Sequence, residues 1–176
     1  MNLYLIRHAQ AELLEAGQLD ADRKLTPKGL EQAKTLRRTF EHLDVHLDVV
    51  YSSPWRRARQ TATALSGVAH HLEIMPELAA APDQKLVEKL LEIALQRPEA
   101  AVALVGHQPW MGELTSVLLT GDTSLAARLE YKKCAVYALE LRMSENSVSE
   151  NSVSKNNAAQ CLLRFVLPSG VLRRLS

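Results

Sequence analysis

Short apolar runs alternate with amphipathic stretches along this chain. Residues 3–6 are apolar and rich in β-formers, residues 45–52 form a second run ending at a Ser-Ser-Pro turn signal, and residues 101–105 are almost wholly apolar. Residues 135–141 and 161–167 alternate apolar and polar positions, as half-buried strands do. The pattern predicts a strand at each of these places.

Apolar residues at helical spacing occupy the segments between the predicted strands. Thr26 has the chemistry of a helix N-cap and is followed by proline, so we predict a helix from there to about Leu43. Its apolar stripe consists of Leu30, Ala33, Leu36 and Leu43. Further helices are predicted from Pro54 onward, over residues 83–96 and over residues 109–119.

Strands that alternate with helices indicate an α/β fold. Their crossover connections are right-handed and cover both faces of a largely parallel sheet with helices. We therefore predict a three-layer αβα sandwich with a mostly parallel central sheet. A length of 176 residues is that of a single domain, so residues 1–176 are assigned to one.

The last two predicted strands are separated by a duplicated pentapeptide. Ser-Glu-Asn-Ser-Val occurs at residues 144–148 and again at residues 149–153. Its polar, serine-rich composition cannot bury a core. We predict that residues 143–158 form a flexible polar hairpin loop without a functional role.

Composition and charge exclude several classes of protein. The chain is 47% apolar and 23% charged, with a formal net charge of +1, which gives no general attraction to nucleic acid or to anionic membranes. No apolar run is long enough to span a bilayer, and the amino terminus lacks the features of a signal peptide, so we expect a cytoplasmic protein. Cys134 and Cys161 lack the spacing of a zinc or redox site and are expected to be reduced, buried thiols.

Two histidines follow predicted parallel strands, at the edge of the sheet where ligands bind. His8 follows the first strand, in an expected solvent-facing loop, and His107 follows the strand at residues 101–105 after Gly106. Arg7 precedes His8, and a cluster of arginines follows the second strand. The cluster consists of Arg56, Arg57 and Arg59, of which helical spacing lets only one point in a given direction.

Arginine and histidine together suit phosphoryl transfer. Guanidinium groups bind phosphate oxygens bidentately, and an imidazole can attack phosphorus to form a phosphohistidine that water then cleaves. Acidic metal ligands are missing from these strand ends, so the charge on the phosphoryl group would be neutralised by arginine and histidine. We therefore predict a site without metal or other cofactor.

Four ordered motifs carry a resemblance to a known family. They are Leu-Ile-Arg-His-Ala at residues 5–9, Arg-Lys-Leu-Thr at 23–26 with Gly29, Ser-Pro-Trp-Arg-Arg-Ala-Arg-Gln-Thr at 53–61, and Leu-Val-Gly-His-Gln-Pro at 104–109. The chain resembles the histidine phosphatase superfamily, also called phosphoglycerate mutase-like, and within it the small phosphohistidine phosphatases of the SixA type.

The resemblance implies a role for each motif residue. It makes His8 the nucleophile, Arg7 and Arg57 phosphate ligands, and His107 a group that binds the phosphoryl oxygens and stabilises the transition state. Arg23 aligns with an arginine at the pocket rim, to which a surface ion pair with Asp20 or Asp22 is the structural alternative. Arg56 and Arg59 are expected to be exposed.

Two departures from the family pattern bear on the chemistry. Ala9 replaces the usual glycine after the nucleophile, which is tolerable if its φ is negative. The glutamate general acid of mutases and broad phosphatases is missing, and its position falls near Ala80. An imidazole leaves more readily than an alkoxide, so the missing acid favours phosphohistidine on another protein as the substrate. Glu77 or Asp83 remains an alternative proton donor.

Other functions and other readings of single residues remain open. A small-molecule phosphomonoester phosphatase or mutase, and a non-catalytic module that binds phosphoproteins, would use the same scaffold. The expected substrate partner is a phosphotransfer domain or phosphocarrier, with no nucleic acid or membrane partner. His42 with His46, and His70 with His71 in a predicted loop, are interpreted as surface residues, and Trp55 and Trp110 as core packing or the pocket mouth.

Overall fold

The computed structural model describes residues 1–143, 159–168 and 170. Within these residues, six strands and four α-helices follow one another along the chain. In order they are β1 (Asn2–Arg7), α1 (Pro27–His42), β2 (Leu47–Ser52), α2 (Arg56–Thr63), β3 (Ala69–Ile74), α3 (Gln84–Gln96), β4 (Ala101–Gly106), α4 (Trp110–Thr120), β5 (Val136–Met143) and β6 (Ala159–Leu167).

The six strands form one sheet in the order β3-β2-β4-β1-β5-β6. β3, β2, β4 and β1 are mutually parallel, while β5 is antiparallel to β1 and β6 is antiparallel to β5. The prediction of an α/β fold with a mostly parallel central sheet is therefore confirmed. Parallel pairing of β1 with β4 brings the residues that follow each strand to the same edge of the sheet.

Successive side chains of the central strands point to opposite faces, so each face has its own apolar core. On one face, Tyr4 and Ile6 of β1 pack in a cluster with Phe40 of α1 and Ala58 of α2. On the other face, Leu3 and Leu5 belong to a cluster supplied by α3 and α4 through Leu86, Leu90, Met111 and Leu114. Helices on both faces make the predicted three-layer sandwich.

The helices begin and end close to their predicted positions, but the start of α2 and the exposure of two leucines in α1 differ from the prediction. Thr26 caps α1 as predicted, its side chain accepting the Gly29 N–H at 3.0 Å. Leu30 and Leu43, assigned to the buried stripe of that helix, are 43% and 40% exposed. α2 begins at Arg56, with Trp55 as its N-cap, rather than at Pro54.

The largest error concerns a strand that the pattern did not reveal. His70 and His71 were predicted to lie in a loop, but they belong to β3, which pairs with β2 at the edge of the sheet. β3 is exposed along most of its length, so its sequence does not need the apolar alternation of a half-buried strand. The side chains of both histidines are exposed, as expected.

The duplicated pentapeptide lies outside the described residues, so the predicted hairpin loop stays a prediction. Its flanking residues, Met143 and Ala159, pair with each other at the ends of β5 and β6. They lie toward the end of the sheet where the parallel strands begin, because Glu140 of β5 pairs with Asn2 of β1. No helix of the described part of the chain is long and apolar enough to cross a membrane.

Candidate active site

The two predicted site histidines meet at the carboxyl edge of the sheet. Arg7 pairs with Gly106 in the β1–β4 ladder, so His8 and His107 leave neighbouring strands at the same level. The backbone N–H of His8 donates to the Gly106 carbonyl at 3.0 Å, and the imidazole centroids are 5.1 Å apart. A Cβ at Gly106 would lie 2.6 Å from the terminal methyl of Met111, so the Met111 side chain packs directly against this glycine.

His8 is a buried, neutral imidazole. It is 3% exposed, which corrects the expectation of a solvent-facing residue. Burial, followed by the positive charge of Lys133, lowers the pKa of His8 to about 2. Its Nδ1 lies 2.7 Å from the Ala9 carbonyl oxygen, which can only accept, so the ring proton is on Nδ1 and the lone pair is on Nε2.

His107 is the second buried imidazole of the site. Burial, followed by the charge of Arg57, lowers its pKa to about 3, so it too is neutral near pH 7. Its Nε2 is 2.8 Å from the hydroxyl of Ser53, and its Nδ1 is buried with no hydrogen-bond partner. When the hydroxyl donates to Nε2, Nδ1 carries the proton and remains an unused donor.

Arg57 links His8 to the segment before α1. Its Nε donates to His8 Nε2 at 3.2 Å, its Nη1 to the Asp20 carbonyl at 2.5 Å, and its Nη2 to Asp20 Oδ2 at 2.8 Å. Although burial raises the pKa of Asp20, hydrogen bonds from Arg23 and Arg57 hold it below its ordinary value. Asp20 is therefore an ionised carboxylate at neutral pH and has no proton to donate.

Arg23 forms the ion pair that was the structural alternative for it. Its Nη1 is 2.6 Å from Asp20 Oδ1, and its Nε donates to the Glu12 carbonyl at 2.7 Å. Through Asp20 it is joined to Arg57, so it also stands at the rim of the site. Arg56 and Arg59 are exposed on α2, as predicted.

A turn before β5 brings a further cation to the site. Cys134, in the left-handed region at φ 63°, donates its N–H toward the carbonyls of Arg7 and His8 at 3.1 and 3.3 Å, and the Tyr131 carbonyl accepts from Arg7 Nη1. Lys133 lies in this turn. Burial, followed by the charge of Arg7, lowers its pKa to about 8. Its own charge lowers the pKa values of His8 and His107.

Two tryptophans contact the site and do not belong to the core clusters. The Trp55 ring lies 4.4 Å from the His107 ring, and the Trp110 ring lies 5.8 Å from it, centroid to centroid. The guanidinium carbon of Arg57 is 4.5 Å from the Trp55 centroid. The core-packing interpretation was therefore wrong for both residues, which border the site as partly exposed side chains.

The two alternative proton donors are committed elsewhere. A bond to its own backbone N–H and one from Lys89 lower the pKa of Glu77, whose Oε1 is 3.0 Å from the Lys89 ammonium. Asp83 caps α3 by accepting the Leu86 N–H at 2.9 Å. Neither carboxylate is among the groups whose charge affects His8 or His107. Glu77 lies in a short 3-10 helix and Asp83 is the N-cap of α3.

The arrangement suits the binding and transfer of a phosphoryl group. The neutral imidazole of His8 lies near the cationic groups of Arg7, Arg57 and Lys133, which favour an anionic ligand. The buried Nε of Arg7 has no partner, as is the case for His107 Nδ1, and such donors match phosphate oxygens. No group of three or more histidine, cysteine or acidic residues in the described ranges could hold a metal ion.

Comparison with known proteins assigns the family. The chain matches the model of the histidine phosphatase superfamily (branch 1) over residues 3–81. It is 33% identical over 141 residues to an uncharacterized protein of Picosynechococcus sp., covering 79% of this chain and 84% of that protein. The chain belongs to the histidine phosphatase superfamily.

SixA proteins are among the similar sequences and structures. The phosphohistidine phosphatase SixA of Escherichia coli is 29% identical over 126 residues, which cover 70% of this chain and 77% of that protein. The structure of the protein histidine phosphatase SixA complexed with tungstate has a TM-score of 0.75 at 22% identity, covering 98% and 99% of the two chains. The fold is thus that of these phosphatases, and family membership supports a phosphatase activity.

The motifs led to His8, His107, Arg7, Arg57 and Arg23, which the structure brings together. They did not lead to Lys133 or to the role of Ser53, although Ser53 is the first residue of the Ser-Pro-x-x-Arg motif. Lys133 is part of no motif, and only the turn before β5 places it beside Arg7. For Ala9 the condition stated from the sequence holds, because it is not among the described residues with positive φ.

Proposed function

We propose that this protein is a phosphohistidine phosphatase that acts on phosphoproteins through a covalent phosphohistidine on His8. The observation that carries the proposal is the state of His8, whose Nδ1 is held by the Ala9 carbonyl while burial keeps the ring neutral. An imidazole held in this tautomer presents the Nε2 lone pair needed for attack at phosphorus.

The reaction proceeds in two displacements. His8 Nε2 forms a bond to phosphorus while the bond from phosphorus to the substrate imidazole breaks, and water later attacks the enzyme phosphohistidine to release phosphate. Arg57 now donates to the attacking nitrogen at 3.2 Å, so phosphate oxygens must take over this donor. Arg7, Arg57, Lys133 and a proton on His107 then stabilise the charge of the transferring group.

The state of three candidate carboxylates among the described residues supports the choice of substrate. Asp20 and Glu77 have lowered pKa values and bind arginine or lysine, and Asp83 accepts the Leu86 N–H, so none of the three is suited to protonate an alkoxide. A phosphohistidine can take up its proton from solvent at the second ring nitrogen before the reaction. It then leaves as neutral imidazole, and the contribution of about 10²–10⁴-fold from an enzyme acid is not needed.

The test compares substrates without metal. Purified protein in chelator is assayed on a phosphohistidine protein, a phosphoserine peptide and small phosphate esters, and the phosphoenzyme is trapped and tested for acid lability and base stability. Fastest turnover of the phosphohistidine protein, through an acid-labile phosphoenzyme, is expected. Faster turnover of the esters would favour the small-molecule alternative, and binding without a phosphoenzyme would favour a non-catalytic module.

A further inference from the structure

The loop between β1 and α1 exposes three leucines next to the candidate active site. Leu13 is 86% exposed, Leu14 is 54% exposed and Leu19 is 70% exposed. Single exposed leucines are ordinary on a protein surface, but three within one short loop are a concentration of apolar surface that is disfavoured in water. We refer to residues 12–19 as the leucine loop.

The leucine loop is held in place at its base. Ala11 and Leu25 form an antiparallel bridge, and the Glu12 N–H donates to the Lys24 carbonyl at 2.9 Å. Arg23 Nε donates back to the Glu12 carbonyl at 2.7 Å. The exposed leucines therefore lie in a loop whose base is fixed by backbone and side-chain hydrogen bonds.

The same contacts connect the leucine loop to the catalytic groups. Asp20 follows Leu19 directly and binds Arg57, which in turn donates to His8. Leu13 follows Glu12, whose carbonyl binds Arg23. Consecutive Cα atoms are about 3.8 Å apart, so the leucines begin one residue away from the hydrogen-bond network of the site at both ends of the loop.

We propose that the leucine loop is the surface that docks the phosphoprotein substrate. This inference rests on the proposed function. A protein that presents its phosphohistidine to His8 must bring the surrounding surface against the rim formed by Asp20 and Arg23. Apolar side chains beside its phosphohistidine would then cover the leucines, as in the apolar centre of a protein–protein interface. Free phosphohistidine has no surrounding protein surface to cover them.

The experiment replaces the three leucines with serine. The variant L13S/L14S/L19S and the wild type are assayed on two substrates, free phosphohistidine and a histidine phosphotransfer domain phosphorylated with phosphoramidate. We expect kcat/KM for the phosphorylated domain to fall by about tenfold or more, mainly through KM, because a few apolar anchors carry most of the affinity of such interfaces. Turnover of free phosphohistidine should stay within about twofold, since the loop does not contact a small substrate.

A matched control replaces an exposed leucine far from the site. Leu95 is 59% exposed near the end of α3, ahead of the start of β4, and Leu95→Ser should leave both substrates unaffected. Equal losses on both substrates, or no loss on the phosphorylated domain, would overturn the docking surface while leaving the proposed function intact. A wild type that forms dimers, with L13S/L14S/L19S monomeric and fully active on the domain, would instead assign the loop to a second copy.

The docking proposal and the proposed function fail in different ways. If the wild type turns over free phosphohistidine without preferring the phosphorylated domain, the docking surface is wrong and the chemistry stands. If it hydrolyses neither substrate in chelator and forms no phosphoenzyme, the proposed function is wrong, and the docking inference falls with it.

Discussion

The central sheet has one edge where the parallel strands begin and another, the carboxyl edge, where they end. These two edges differ in how their buried polar groups are paired. At the edge where the parallel strands begin, the α-amino group of Met1 donates to the Leu141 carbonyl at 2.9 Å, and Asp48 Oδ2 accepts the Ala101 N–H at 2.8 Å. At the opposite edge, His107 Nδ1 and Arg7 Nε are buried without partners. Each such group costs roughly 1–3 kcal/mol of stability.

This contrast indicates which edge of the sheet has donors left over for a ligand. Both edges belong to the same apolar strands, so the contrast comes from the residues at the strand ends. One edge closes its polar groups with backbone and carboxylate partners, as a structural end does. The other leaves His107 Nδ1 and Arg7 Nε without partners, and its stability is lower than full pairing would allow.

The largest effect is expected when the proposed nucleophile at the carboxyl edge is removed. His8→Asn should lower turnover by about 10⁴-fold or more, because the proposed covalent step needs the lone pair of His8 Nε2. Steady-state assays and phosphoenzyme labelling measure the loss. His42→Asn, at an exposed position on α1, is the control and should stay within about twofold. Turnover by His8→Asn within tenfold of the wild type would exclude His8 as the nucleophile.

A smaller loss is expected from the central arginine. Arg57→Ala should lower kcat by about 10²–10³-fold, because it removes charge at the transferring group and the donor to His8 Nε2. Arg56→Ala and Arg59→Ala, exposed on the same helix, should leave kcat unchanged within about twofold. Comparable losses in all three variants would indicate a general electrostatic effect rather than a site contact.

Lys133 should add a pH dependence to the carboxyl edge. With a pKa of about 8, its ammonium is lost as the pH rises through that value, so kcat/KM should fall on the alkaline side. Lys133→Arg should shift this fall to higher pH, and Lys133→Met should lower kcat/KM by about tenfold at pH 7. The exposed neighbour provides the control, since Lys132→Met should leave the pH profile unchanged.

The two buried imidazoles should make stability depend on pH. Their pKa values of about 2 and about 3 lie below the unfolded value of 6.5, so below pH 6.5 the unfolded chain binds protons that the folded protein does not. The free energy of unfolding should therefore decrease as the pH falls from 6.5 toward 3, by up to about 1.4 kcal/mol per pH unit for each histidine. Denaturant titrations of the wild type and His107→Gln should show a shallower slope in the variant.

The smallest effect is expected at the opposite edge. Deleting residues 149–153, one copy of the pentapeptide, should leave turnover and KM unchanged, because the flanking Met143 and Ala159 lie away from the end of the sheet that carries His8. The same assays used for His8→Asn apply. A loss of more than a few-fold would contradict the contrast between the two edges.

Much of the fold was predictable because buried positions recur along the chain with the period of a helix or a strand. β1 and β4 were found as apolar runs, and α1 was found from Thr26 and the proline after it. β3 was missed because an exposed edge strand needs no apolar pattern. Leu30 was assigned to the core although it is 43% exposed, since a periodic stripe does not show where its margin meets solvent.

The candidate site was predictable where a motif names the residue. His8, His107 and Arg57 occur in ordered motifs, and their meeting follows from parallel strands that share a carboxyl edge. The motifs did not predict that His8 is buried or that Arg57 donates hydrogen bonds to Asp20. Those features depend on how a loop and a helix from distant parts of the chain pack together.

The class of the fold, the family and the candidate histidines and arginines of the site could all be inferred from the sequence alone. This was possible because strand and helix periods are local and the motif residues are contiguous. The tertiary structure was needed to show which nitrogen of His8 carries the proton, that the charge of Lys133 acts on it, and that Leu13, Leu14 and Leu19 are exposed. These depend on strand register and on turns between distant segments, which no local pattern encodes.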